Sequence, residues 1–204
     1  MTTAISPTPT PALAQPQTAR QHARRDGALL AAFELAEEGG YEAVRMREVA
    51  ERAGIALGTL YRYFGSKDHL LASAMAQWST DLRGRVEARP PNAGSPVEQV
   101  IEVMRRAARA LERHPQLSEA LVKSLFSHDT GVAEANHEVS RQIHLMLSPP
   151  LQALDDDTRD GLIDLIAQVW HSALIGWANG RFPIDEIGVK MQRAVRLILE
   201  PRFP

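Results

Sequence analysis

The chain has no cysteine among its 204 residues, which removes disulfide frameworks, thiolate nucleophiles and cysteine-based zinc or iron–sulfur sites together. No stretch approaches the roughly 18 uninterrupted apolar residues of a membrane-spanning helix. The start carries neither a basic segment nor an apolar run ending in small residues, so no export signal is read and a cytoplasmic protein without membrane contact is expected. Basic residues are not in excess either: 23 Lys and Arg stand against 25 Asp and Glu. Up to residue 90 the count is 11 against 10, a faint asymmetry, so total charge does not announce a nucleic-acid partner. No G-x-S-x-G elbow, no G-x-x-x-x-G-K-[ST] loop and no strand leading into a glycine-rich helix start is present. Hydrolase, P-loop and dinucleotide chemistries lack their first residue, so an enzyme is not expected and no cofactor is implied.

What is present is an ordinary globular balance, 44% apolar and 24% charged, arranged almost wholly with a helical period. Residues 1–19, rich in Thr, Pro and Ala, have no periodic apolar face and read as a disordered arm. From Arg24, the residues Leu29, Ala32, Phe33 and Ala36 fall at i, i+3, i+4 and i+7, and Gly39-Gly40 ends that first helix. Short helices follow from about Met46 to Ala53 and, past Gly54, to about Phe64. Ser66 is a good N-cap for a long helix from Lys67 to about Glu87. After a linker that begins at Pro90-Pro91, the prolines and apolar spacing predict helices over about 96–113, 115–127, 129–148, 156–180 and 184–199.

The informative run is residues 46–71, two short helices joined at Gly54, which reads as a helix-turn-helix. Val49, Ala50 and Ala53 can pack against Leu60 and Phe64 at the crossing. The second helix would enter the major groove with Leu57, Gly58, Thr59, Tyr61 and Tyr63 near bases or phosphates, while Arg45, Arg47, Arg62 and Lys67 supply charge-assisted phosphate contacts. Ala53–Lys67 resembles the signature of the TetR family of bacterial regulators: A-G, a small apolar residue, two free positions, then G-T-L-Y, an aromatic at the second place after Tyr61, and F-x-S-K. Ala56 and Arg45 depart from it, standing where Ser and Thr commonly cap their helices, and a lost N-cap costs about 1 kcal/mol. The resemblance implies an all-α homodimer with a three-helix DNA-binding head over residues 20–82. It also implies a ligand-binding and dimerisation body over 83–204 that receives an inducer. The run from Gly39 to Met75, with pieces at 113–126, 169–182 and 190–199, is further similar to KstR-type repressors of sterol and cholesterol breakdown, whereas the segment from His128 to Asp157 departs more. Implied partners are a palindromic operator in double-stranded DNA and a bulky hydrophobic or acyl-CoA effector. A multidrug or small-molecule sensor with an unrelated effector is the alternative.

Between head and interface, Met75, Trp78, Met104, Leu111, Leu121, Leu125, Phe126, Ile143, Met146 and Leu147 are candidate pocket residues, a set with few aromatics and several pliable methionines. The segment from Leu162 to Ala178 carries two apolar stripes. The one formed by Ile163, Ala167, Trp170, Leu174 and Ala178, with Met191, Ala194 and Ile198 of the last helix, is the candidate dimer interface, and a large monomeric core is the competing reading. His137-Glu138 begins like a zincin helix, but Arg141 stands where the second histidine ligand is needed, so no metal is expected. Arg105, Arg106, Arg109 and Arg113 read as a solvated helix face, or as a hold for the phosphates of an acyl-CoA effector.

Overall fold

Among the described residues, nine α-helices are laid down where the apolar spacing and the caps place them: α1 (Ala19–Ala43), α2 (Met46–Arg52), α3 (Leu57–Tyr63), α4 (Lys67–Ala88), α5 (Pro96–Glu112), α6 (Pro115–Ser124), α7 (Thr130–Leu147), α8 (Asp156–Ala178) and α9 (Glu186–Leu199). The structure is a computed structural model and describes residues 19–92 and 94–203. Apart from Ala19, the expected arm lies outside these residues. Gly39 and Gly40 leave helical backbone angles inside the span of α1, the break that the glycine pair predicts.

Helix starts follow side-chain chemistry. Ser66, Ser95, Asp129 and Asp155 each accept a backbone N–H from the first turn of α4, α5, α7 and α8, satisfying amides that the helix itself leaves unpaired. Arg45 and Ala56 make no such bond, so α2 and α3 depend on packing for their stability.

Two apolar cores are stacked along α4. The first gathers Leu29, Ala32 and Leu35 of α1, Val49 of α2, Leu60 and Phe64 around α3, Leu70 and Leu71 of α4, and Leu117, Leu121 and Leu125 on the α6 side. The second joins the far half of α4 to α5, α7, α8 and α9 through Leu82, Ile101, Met104, Leu111, Leu147, Ile163, Ile166, Trp170, Met191 and Val195. Trp78 packs against both. Among the described residues, no helix is long and apolar enough to cross a membrane.

Candidate DNA-binding face and effector cavity

The turn between α2 and α3 is made by Gly54, whose φ of +64° is the left-handed region open to glycine. The Ile55 amide then reaches back to the Ala50 carbonyl at 3.0 Å. Leu60 and Phe64 are completely buried, which anchors one side of α3 and turns the other outward. That outer side exposes Gly58, Tyr61 and Arg62, with Arg45 and Arg47 exposed beside it on the preceding segment. Thr59 is half-buried. Leu57 and Tyr63, also half-buried, pack partly on the head core, so they support the helix as well as bordering its outer face. Arg45 is paired only with Glu48 at 3.1 Å in solvent, a contact of small worth. Arg52 by contrast grips both carboxylate oxygens of Glu38 at 2.6 and 3.0 Å.

Lys67 is less free than its place in the motif suggests. Its Nζ donates to the Tyr41 carbonyl at 3.2 Å and lies 3.5 Å from the centre of the Tyr41 ring. Tyr41 in turn donates its hydroxyl to Asp68 at 2.5 Å. Burial, then the hydrogen bond and charge of Asp68, hold the Tyr41 phenol well above its ordinary pKa, so it stays a donor. This clasp closes the end of α1 onto the start of α4, and Tyr41 is a positioning residue that the sequence pattern did not single out.

Gly58 has no internal reason to be glycine, since a β-carbon built there meets nothing within 4 Å. The space it leaves points outward, where close approach to a groove would use it. Gly58→Ala is therefore expected to raise folding stability by up to about 1 kcal/mol through helix propensity, yet to weaken operator binding at least tenfold. Thermal melts and anisotropy titrations on the same preparation check this, and unchanged DNA affinity would reject α3 as the reading element.

Head and body meet at a latch between two helix caps. Ser66 Oγ accepts the His69 amide at 3.0 Å and sits beside the carboxylate of Asp129, which accepts the Gly131 amide at 2.9 Å. The neighbouring Ser66 hydroxyl first, then the Gly131 amide, hold the Asp129 carboxyl below its ordinary pKa. Gly131 lies so close to His69 that an added β-carbon would overlap the imidazole. At the other end of α4, Arg83 Nε donates to the buried Gln142 of α7 at 2.6 Å. Thus α7 is fastened to α4 at both ends.

Between these fastenings lies an apolar cavity. Of the ten residues expected to line a pocket, Met75, Trp78, Met104, Ile143, Met146 and Leu147 do so, joined by Ser79, Leu82, Val103, Ala107, Val139 and Trp170. The other four lie elsewhere. Leu121 and Leu125 are absorbed by the head-side core and Leu111 by the body core, while Phe126 is 41% exposed, its ring in a T-shaped contact with His171. Trp170 was missed as a lining residue because the sequence places it on the other stripe of α8. The cavity encloses about 20 Å³, room for about one water molecule.

The expected interface needs correction as well. Ile163, Trp170, Leu174 and Met191 are 1%, 5%, 3% and 0% exposed: they fill the protomer's own core, and Ala167, Ala178, Ala194 and Ile198 are only half-exposed. Most of both apolar stripes of α8 turns inward because α6, α7 and α9 pack against it. The large apolar side chains that α8 and α9 leave outside are instead Leu165, Val189 and Leu197. The zincin-like run is also accounted for, since Arg141 chelates Glu138 at 2.7 and 2.9 Å.

Residues 28–74 match the family of bacterial regulatory proteins called the tetR family, and residues 94–198 match the tetracyclin repressor-like C-terminal domain. The HTH-type transcriptional repressor KstR of Mycolicibacterium smegmatis is 36% identical over 183 residues, 88% of this chain and 88% of the relative. A TetR transcriptional regulator from Rhodococcus sp. RHA1, known as a crystal structure, superposes with a TM-score of 0.78 at 32% identity, over 88% of this chain and 97% of that one. Thermus thermophilus FadR, a TetR-family transcriptional repressor crystallised with lauroyl-CoA, has the same fold, with a TM-score of 0.70 at 22% identity over 88% and 95% of the two chains. The chain belongs to the TetR family of bacterial transcription regulators, DNA-binding proteins and not enzymes.

Proposed function

We propose that the protein represses genes of sterol or other lipid breakdown as a cytoplasmic homodimer. It leaves a near-palindromic operator when a coenzyme A thioester with a bulky hydrophobic acyl group enters the body. The observation that carries this reading is where the cavity sits. Its wall includes Met75, Trp78 and Leu82 of α4, and only three residues separate the start of α4 from the end of the recognition helix α3. Since the cavity has almost no free volume, a bulky acyl group must part α4 from α5, α7 and α8. The pull is delivered to α4 at both ends, through the close packing of His69 on Gly131 beside Ser66 and Asp129, and through the Arg83–Gln142 bond. Residues 20–82 move as the DNA-binding unit and residues 83–204 as the body.

Each half of the operator meets Gly58, Thr59, Tyr61 and Arg62 of one protomer, with Arg45 and Arg47 on flanking phosphates. Leu165, Val189 and Leu197 meet their counterparts on the second copy, which fixes the distance between heads. The effector releases DNA only as far as it prefers the parted conformation. The repressor names of the KstR and FadR relatives, and the lauroyl-CoA held by the latter, fit this chemistry.

The test is fluorescence anisotropy of the full-length dimer on its own upstream DNA at two salt concentrations, with and without a steroid CoA thioester or palmitoyl-CoA. Binding should weaken as salt rises, because phosphate contacts release counterions. The thioester should lower affinity by about 5- to 150-fold, the usual range of allosteric coupling. Operator binding that ignores every thioester would discard the effector, and no binding to upstream DNA at either salt would discard the repressor.

A further inference from the structure

A second cleft lies on the outer side of the α4–α5 seam, a groove of about 440 Å³. Five arginines border it, Arg85 and Arg89 from the end of α4 and Arg106, Arg109 and Arg113 from α5, against one carboxylate, Glu102. Glu102 is already spent. Burial works to raise its pKa, but hydrogen bonds and charge from Arg106, with Arg105, outweigh that and keep it ionised, at 2.9 and 2.7 Å. Among the described residues, no carboxylate lies within ion-pair distance of Arg85, Arg89, Arg109 or Arg113.

A cation near a helix C-terminus is favourable, which accounts for one arginine on each helix. It does not account for two unpaired ones per helix at i, i+4 spacing, where like charges repel, converging on one groove in a chain whose net charge is −2. Such a groove is complementary to a polyanion of small size. It does not suit the operator, because Arg85 lies 18 residues along α4 from Lys67, about 27 Å at the rise of an α-helix. Leu82 borders both this groove and the apolar cavity, so an amphipathic molecule can lay its charged end outside the seam and its apolar end within it.

We propose that this groove binds the phosphate-bearing head of a coenzyme A-type ligand, with Arg85, Arg109 and Arg113 as its phosphate donors. The planar guanidinium fork suits phosphate oxygens, and each such bond is charge-assisted. The assignment of the acyl end to the cavity rests on the effector reading above, whereas the groove stands on its own charge and geometry.

Calorimetric titration of the full-length dimer with coenzyme A, palmitoyl-CoA and palmitate separates the two. In the double variant Arg109→Gln with Arg113→Gln, coenzyme A and palmitoyl-CoA should each bind about 10- to 100-fold more weakly. Palmitate affinity and operator affinity should be unchanged. Both arginines are exposed and unpaired, so the fold is retained, and Arg85→Gln, from the other helix, should lower the same two affinities. A natural chain that binds coenzyme A through these arginines but keeps its operator in the presence of thioester supports the groove while sinking the effector reading. Equal coenzyme A affinity in variant and natural chains overturns the groove, as does failure of the natural chain to bind either coenzyme A species. Loss of operator affinity in the double variant at matched salt overturns it too, by making the arginines DNA contacts.

Discussion

Replacement of Tyr61 by alanine is expected to weaken operator binding by about two to four orders of magnitude while leaving the melting temperature nearly unchanged. Tyr61 is half exposed on α3, whereas its neighbours Leu60 and Phe64 are fully buried, so the side chain contributes little to the head's own packing. A hydrogen bond to a charged group such as phosphate contributes roughly 1.5–3 kcal/mol. A symmetric dimer loses it in both half-sites, and about 1.4 kcal/mol corresponds to each factor of ten. Tyr61→Phe, which keeps the ring, should recover whatever part of the loss comes from contact with a thymine methyl. Arg52→Ala is the control on the same head: its guanidinium is spent on Glu38, so operator affinity should stay within about twofold on double-mutant reasoning for residues with separate partners. Anisotropy titrations at one salt concentration measure all three. A Tyr61→Ala protein that binds as tightly as the natural chain would move the reading face elsewhere.

The head was legible from sequence because its code is local. Gly54 between two short amphipathic runs, and buried residues four apart at Leu60 and Phe64, fix which side of α3 must face outward. Helix limits were legible for the same reason, since Ser66, Asp155 and the prolines act on their own turns. What was lost is whatever depends on a distant partner. Lys67 reads as a free phosphate ligand until Tyr41, 26 residues earlier, is found beneath it. Ser66 and Asp129 each read as caps, but nothing in either turn says that they sit side by side where head meets body. The stripes of α8 are the clearest case. Helical periodicity counts apolar faces and cannot say whether a second face is covered by the same chain or by another copy, and α6, α7 and α9 of the same chain cover most of the apolar surface of α8. Phe126 and Leu125 are adjacent in sequence, yet one is at the surface and the other in the head-side core, because α6 ends there and the chain leaves its helical register.

Leu165→Asp combined with Leu197→Asp is expected to convert the dimer into a folded monomer and, with it, to reduce operator binding to the non-specific level. Leu165 and Leu197 are 50% and 71% exposed in the single chain, while other faces of their helices, through Ile166 and Val195, are fully buried. Charge placed at the two leucines therefore leaves the protomer core intact. Burying a leucine is worth about 1.5–3 kcal/mol, and a two-fold interface counts each substitution twice. The leucine loss alone is thus on the order of 5 kcal/mol or more before the cost of burying carboxylates, roughly four orders of magnitude in the dimer dissociation constant. Sedimentation equilibrium at micromolar concentration, with helical circular dichroism and melting on the same samples, reads the outcome. The contrasting pair is Ile163→Asp and Met191→Asp, which puts a charge at sites 1% and 0% exposed. If those residues belong to the core, that protein should fail to fold instead of dissociating cleanly. A stable, operator-binding dimer carrying aspartate at both 165 and 197 would return the interface to another face of the body. A folded monomer carrying aspartate at 163 and 191 would restore the stripe of Ile163 and Trp170 as the contact between copies.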